Sequence, residues 1–168
     1  ADQAGLVSSG TAVLRTTAGD VVISETVDVE GGLKLAAGDR LVLNADLEAA
    51  SASLRAVNEV IIGADVSISA LGTLIIDSAS GAVTMDASSS VTMADGNARV
   101  GARNNIAISR LDAGTGSVSL ISGSGSVVDA GVATENILAA ALRVDVGASV
   151  GSGADPIEIE VGTLAGLV

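Results

Sequence analysis

The side chains best placed to do chemistry in this 168-residue chain are carboxylates set at a repeating interval. Three passes of the sequence share one order: TAVLRTTAGDVVISETVDV from Thr11, GLKLAAGDRLVLNADL from Gly32 and ASLRAVNEVIIGADVSI from Ala52. Each has an apolar run, a small-residue turn ending in an acid, a second apolar run and a short third run. The turn acids are Asp20, Asp39 and Glu59, and the third runs hold Asp28, Asp46 and Asp65. If the passes stack in register, each trio forms a column with carboxylates about 5 Å apart. Oxygen ligands at that spacing suit a hard cation such as Ca²⁺, which makes these six residues the candidate metal ligands. The GGxGxD calcium repeat is absent, and a Gly-Asp turn needs no metal. A solvated corner therefore outweighs a metal ladder, and calcium stands as the one cofactor to consider beside none.

Other chemistry has little material. The chain has no His, Cys or Tyr, so nucleophiles and general bases reduce to Ser, Thr, carboxylates and the single lysine, Lys34. A carbohydrate-cleaving enzyme on a β-helix would gather acids, or an acid with Lys or Arg, on one face, and here no aromatic ring exists to stack on a sugar. No catalytic residue is assigned, and an enzyme is the least favoured reading. Arg15, Lys34 and Arg55 occupy matching places in the first run of each pass and predict a basic column on the outside. Exposed pairs contribute only about 0 to 1 kcal/mol each, so that column reads as register and solubility. An ice-binding ladder would need Thr-x-Thr in line, which Thr16, Thr17, Thr84 and Thr92 do not provide.

Strands must position these residues. Pairs of large apolar residues flank a middle one in Leu33-Lys34-Leu35, Leu41-Val42-Leu43, Val60-Ile61-Ile62 and Leu74-Ile75-Ile76. Val83-Thr84-Met85, Val91-Thr92-Met93, Ile106-Ala107-Ile108, Val118-Ser119-Leu120, Leu142-Arg143-Val144 and Ile157-Glu158-Ile159 continue the pattern. Period two with a polar middle is a strand with one buried and one wet face. Gly, Ser, Asn and Asp fill the intervals, as in Ala18-Gly19-Asp20 and Ser78-Ala79-Ser80-Gly81, and Gly and Asn turn the chain at little cost. Pro156 opens the strand Ile157-Glu158-Ile159 and does not interrupt it. Glu135 to Leu142 is the one segment where a helical turn competes with a strand.

A period near twenty residues made only of strand-length pieces marks stacked coils. The expected fold is all-β: a single parallel β-helix, or β-solenoid, of about seven coils with about three short strands each, spanning residues 1–168. With no Phe, Tyr or Trp, the core must be Val, Ile, Leu, Ala and two Met, which fill a narrow tube well. Its predicted members include Leu33, Leu35, Leu41, Leu43, Val60, Ile62, Leu74 and Ile76, then Ile106, Ile108, Val118, Leu120, Ile157 and Ile159.

Charge and ends constrain partners. A net charge of −12 with isolated bases makes nucleic acid an improbable partner. No uncharged apolar run approaches the roughly 18 residues of a membrane span, and none reads as a signal peptide. Ala4-Gly5-Leu6-Val7 recurs as Ala165-Gly166-Leu167-Val168, directly after Leu164, as if these residues were one unit of a longer array. Neither end carries a polar helix or charged loop as a cap. These nine residues are the expected assembly ends, meeting a second copy head to tail or flanking coils of the same polypeptide.

The phrases SSVTMADGNARVGARNNIAISRLDAGTGSVSLISGSGSVVDAG and LRVDVGASVGSGADPIEIEVGTLAG resemble the coils of very large secreted bacterial proteins related to filamentous haemagglutinin. The resemblance runs from about Gly10 onward. It implies a right-handed β-helix forming the shaft of an extracellular or cell-surface adhesin or filament, exported unfolded through an outer-membrane pore, with cell-surface or polysaccharide contact. The family's secretion domain and receptor-binding head have no counterpart in this stretch. A self-polymerising cytoskeletal solenoid resembling the bactofilins is the alternative.

Overall fold

The structure, a computed structural model, describes residues 5–131 and 135–167. Every element in it is a strand, and every strand pairing is parallel. In chain order these are β1 (Val7–Ser8), β2 (Ala12–Arg15), β3 (Val21–Ile23), β4 (Val27–Ala37), β5 (Arg40–Leu43) and β6 (Leu47–Ala56). Then come β7 (Glu59–Ile62), β8 (Ser67–Ala70), β9 (Leu74–Ser78), β10 (Val83–Met85), β11 (Ser90–Met93) and β12 (Ala98–Ala102). The last are β13 (Ile106–Ile108), β14 (Leu111–Asp112), β15 (Ser117–Ser122), β16 (Val127–Asp129), β17 (Ile137–Val146) and β18 (Ile159–Leu167).

Each strand pairs with the strand one coil on. Val27 lies beside Leu47 and Leu47 beside Ile68, displacements of 20 and 21 residues. The path is a β-solenoid of about seven coils with three faces. The first face carries β1, β8, β11, β14 and the opening limbs of β4, β6, β17 and β18. The second carries β2, β9, β12, β15 and the closing limbs of the same long strands. The third is a separate six-stranded sheet of β3, β5, β7, β10, β13 and β16, prolonged by a bridge from Val127 to Val150. Coils are numbered below from the first-face limb. Coil 1 begins at β1, coil 2 at β4, coil 3 at β6, coil 4 at β8, coil 5 at β11, coil 6 at β14, coil 7 at β17 and coil 8 at β18.

The period-two triplets set the core. Leu33, Leu35, Leu41, Leu43, Val60, Ile62, Leu74, Ile76, Ile106, Ile108, Val118 and Leu120 are all buried, with Lys34 and the other middle residues turned outward. Ile157 is only partly buried and Ile159 is exposed, since among the described residues no further coil stacks on coil 8. β18 opens at Ile159, so Pro156 sits in the preceding loop and not at the strand's first residue. The Glu135 to Leu142 stretch is extended from Ile137 onward, and residues 132–134 lie outside the described residues.

Two sequence devices close the turns between the second and third faces. In Ser78-Ala79-Ser80-Gly81, the buried Ser78 hydroxyl donates to the Asn58 carbonyl one coil back (2.7 Å) and accepts from the Gly81 N–H (3.1 Å). Ser122 repeats the arrangement with Asn104 (2.7 Å) and Gly125 (2.9 Å). A Cβ at Gly81 would overlap the Asn58 carbonyl oxygen, and one at Gly125 would overlap the backbone at Asn104. Only glycine lets these coils approach to ladder distance.

The turns between the third and first faces hold a buried polar ladder. The Ser109 hydroxyl donates to the Ser89 carbonyl (2.5 Å), and its oxygen lies 3.3 Å from the Ser89 hydroxyl. Asn136, fully buried, continues the stack one coil on. Buried polar groups persist where each has partners, and this ladder supplies them coil by coil.

Candidate functional site

Two features of the solenoid could act on something outside it: its open ends and the charges on its flanks. At the first coil, the inward positions Leu6 and Leu14 are 39% and 42% exposed, since among the described residues only coil 2 stacks on that coil. At the last coil, Leu164 is 59% exposed and Gly166 leaves a hollow of about 230 Å³ walled by Leu120, Ile137, Leu142 and Val144. The inward column through Leu14, Leu35, Leu54, Ile76 and Val100 ends at that glycine, where every other coil places a larger side chain. Among the described residues β1 and β2 each pair only with β4, and β18 only with β17, so one ladder edge of each has no strand against it. Of the nine expected end residues, Ala4 and Val168 lie outside the described residues.

The acidic columns differ from expectation. Val21 pairs with Leu41, which sets Asp20 beside Arg40 and not beside Asp39. Arg40 in turn pairs with Glu59, so the column alternates acid, base, acid. The Arg40 guanidinium donates to Asp20 at 2.7 Å and 3.4 Å, and its backbone N–H adds a third bond at 3.1 Å. These hydrogen bonds hold the Asp20 carboxyl below its usual range and raise Arg40 further. Asp39 accepts from the Asn58 side-chain amide instead (2.7 Å).

The second trio does not form a column either. Asp28 pairs with Glu48. Asp46 accepts from the Ser67 N–H (2.8 Å), and Asp65, in a left-handed conformation (φ 58°), donates its N–H to the Ser88 hydroxyl (2.9 Å). Among the described residues no group of three or more acids is close enough to hold a metal ion. The basic trio is likewise split: Arg15 and Arg55 flank Ala36 in one column, while Lys34 lies beside Val13 and Ser53 in the next. All three line one shallow groove with Thr17 and Gly38 on the second face.

The true columns separate charge by face. On the first face one outward column carries Asp28, Glu48, Asp112 and Glu160, with Ser69 and Thr92 between and no base anywhere along it. On the second face the column through Lys34, Arg99 and Arg143 holds no acid. Asp77 and Asp145, one column over, accept from Arg99 (2.9 Å) and Arg143 (2.8 Å).

No family model matches the chain, and neither a curated protein nor a solved structure matches it. No helix among the described residues is long and apolar enough to cross a membrane.

Proposed function

We propose that this chain is a structural, non-catalytic β-solenoid module that extends a rod by stacking coil upon coil, as part of an extracellular bacterial filament or adhesin stalk. The observation carrying this reading is at the two ends of the described residues: core side chains such as Leu14 and Leu164 are exposed, and among the described residues the strands bearing them have no strand along one edge. A free edge is a template for another strand, and an exposed core cross-section adds apolar burial to the pairing. The surface location rests on the resemblance of the Ser89 to Gly131 and Leu142 to Gly166 segments to filamentous-haemagglutinin coils. The lack of His, Cys and Tyr accords with a mechanical role.

Electron microscopy of purified protein across a concentration series tests the assembly. Rods longer than one chain, growing with concentration, are expected. Single short particles at every concentration would overturn head-to-tail stacking of separate copies, and sequence flanking this stretch without further coils would overturn the stalk. The same open ends suit a cytoskeletal subunit resembling the bactofilins. Immunolabelling separates the two, because only the stalk reading predicts signal on intact, unpermeabilised cells.

A further inference from the structure

We infer that the solenoid also associates side by side with a second copy of itself, parallel and staggered by one coil, through its oppositely charged first and second faces. The inference rests on the outward columns alone and is independent of what meets the ends.

The bases of the second-face column fall in coils 2, 5 and 7, as Lys34, Arg99 and Arg143. The acids of the first-face column fall in coils 2, 3, 6 and 8, as Asp28, Glu48, Asp112 and Glu160. Both columns rise by the same step, the coil spacing of about 4.8 Å, so two parallel rods stay commensurate along their length. With no stagger only Lys34 meets an acid, Asp28, while Arg99 meets Thr92 and Arg143 meets Leu138. A shift of one coil towards the partner's last coil changes this. Lys34 then faces Glu48 of the second copy, Arg99 faces Asp112 and Arg143 faces Glu160. The opposite shift leaves only Arg143 opposite an acid. One register therefore satisfies all three bases.

Asp77 and Asp145 hold Arg99 and Arg143 in place before contact, and Arg110 stands near Asp112 at 3.4 Å. All are surface groups, so the attraction is weak per pair and screened by salt. It also works against a net charge of −12 on each copy. Repetition along stacked modules strengthens it without any new contact, because each engaged pair holds the next at high effective concentration.

Sedimentation at about 50 mM and about 500 mM NaCl reads the association, since apolar end stacking persists in salt and charge pairing does not. At the lower salt a mass above that found at the higher salt, growing with concentration, is expected. Lys34→Glu with Arg143→Glu should abolish it, as should Glu48→Lys with Glu160→Lys, and the four changes together should restore it. Restoration is specific to self-pairing, because it requires each charge-reversed face to meet its charge-reversed counterpart on another copy. The register has its own test, as the chain contains no cysteine. Ser53→Cys in coil 3 should cross-link to Ser69→Cys in coil 4 of another copy, and not to Glu48→Cys in coil 3. The same mass at both salts, a fourfold variant without the low-salt increment, or cross-linking to position 48 instead would each overturn the inference.

Discussion

The Asn136 side-chain amide donates directly to the Ser109 carbonyl (2.9 Å) across one coil spacing, and Asn136 has no exposed surface. The same amide donates to Asp129 (2.9 Å), and the Asn136 Oδ1 accepts the backbone N–H of Glu158 (2.8 Å). One side chain thus ties together three successive turns between the third and first faces, at Ser109, Asn136 and Glu158. It stands where Ser89 and Ser109 stand in earlier coils, at the end of the longest sequence interval between ladder partners, 26 residues from Leu111 to Ile137.

Asn136→Ala removes that bridge and leaves the Ser109 carbonyl and the Glu158 N–H without their partners. Each unpartnered buried group costs about 1 to 3 kcal/mol, so a loss of about 2 to 6 kcal/mol is expected for the two. Urea denaturation followed by circular dichroism measures it. Loss should begin at the coil 7 and 8 end, visible as early hydrogen exchange across β18. An unchanged midpoint would mean the ladder contributes nothing.

Leu43 tests the core directly. It is fully buried in the inward column of the third face, between Ile23 and Ile62. Leu43→Asp places an unpartnered charge there, at a cost of several kcal/mol against a typical stability of about 5 to 15 kcal/mol. Unfolded or insoluble material is expected. Leu43→Ala should remain folded but lose about 2 to 5 kcal/mol.

These two sites show what the sequence conveyed and what it withheld. Period two fixes which side of a strand is buried, so Leu33-Lys34-Leu35 and Leu41-Val42-Leu43 reveal their inward faces unaided. Register between coils is another matter, because text aligns on residue type while the ladder aligns on inward apolar sets. Asp20 and Asp39 both follow Gly, yet Val21 pairing with Leu41 sets Asp20 against Arg40. A slip of one position converted an alternating column into an apparent acidic one. Buried Ser89, Ser109 and Asn136 look like any turn residues until the coils are stacked, and the separation of charge between faces emerges only with true register.

Acid should weaken the Asp20 to Arg40 contact. Arg40 holds the folded Asp20 below its unfolded value, so the folded state binds this proton less readily. The stability it contributes is present above about pH 4 and lost as pH falls through the folded value. Asp20→Asn should therefore lower the urea midpoint slightly at neutral pH. It should also flatten part of the decline between about pH 5 and pH 2. Parallel wild-type and variant curves across that range would contradict the assignment.

Gly81 offers the sharpest test of coil spacing, since its φ is unexceptional and any effect of a side chain there is steric. A Cβ at this position would overlap the Asn58 carbonyl oxygen, itself held by the Ser78 hydroxyl. Neither group can give way without breaking the hydrogen bond that ties this coil 4 turn to coil 3. Gly81→Ala should cost about 1 to 3 kcal/mol, the usual range for overpacking. At Gly10, by contrast, a Cβ meets nothing within 4 Å. Gly10→Ala should stay within about 0.5 kcal/mol of wild type, as surface substitutions do. Equal midpoints for the two variants would show that the coils can part at Gly81 without penalty, against a spacing set by backbone contact.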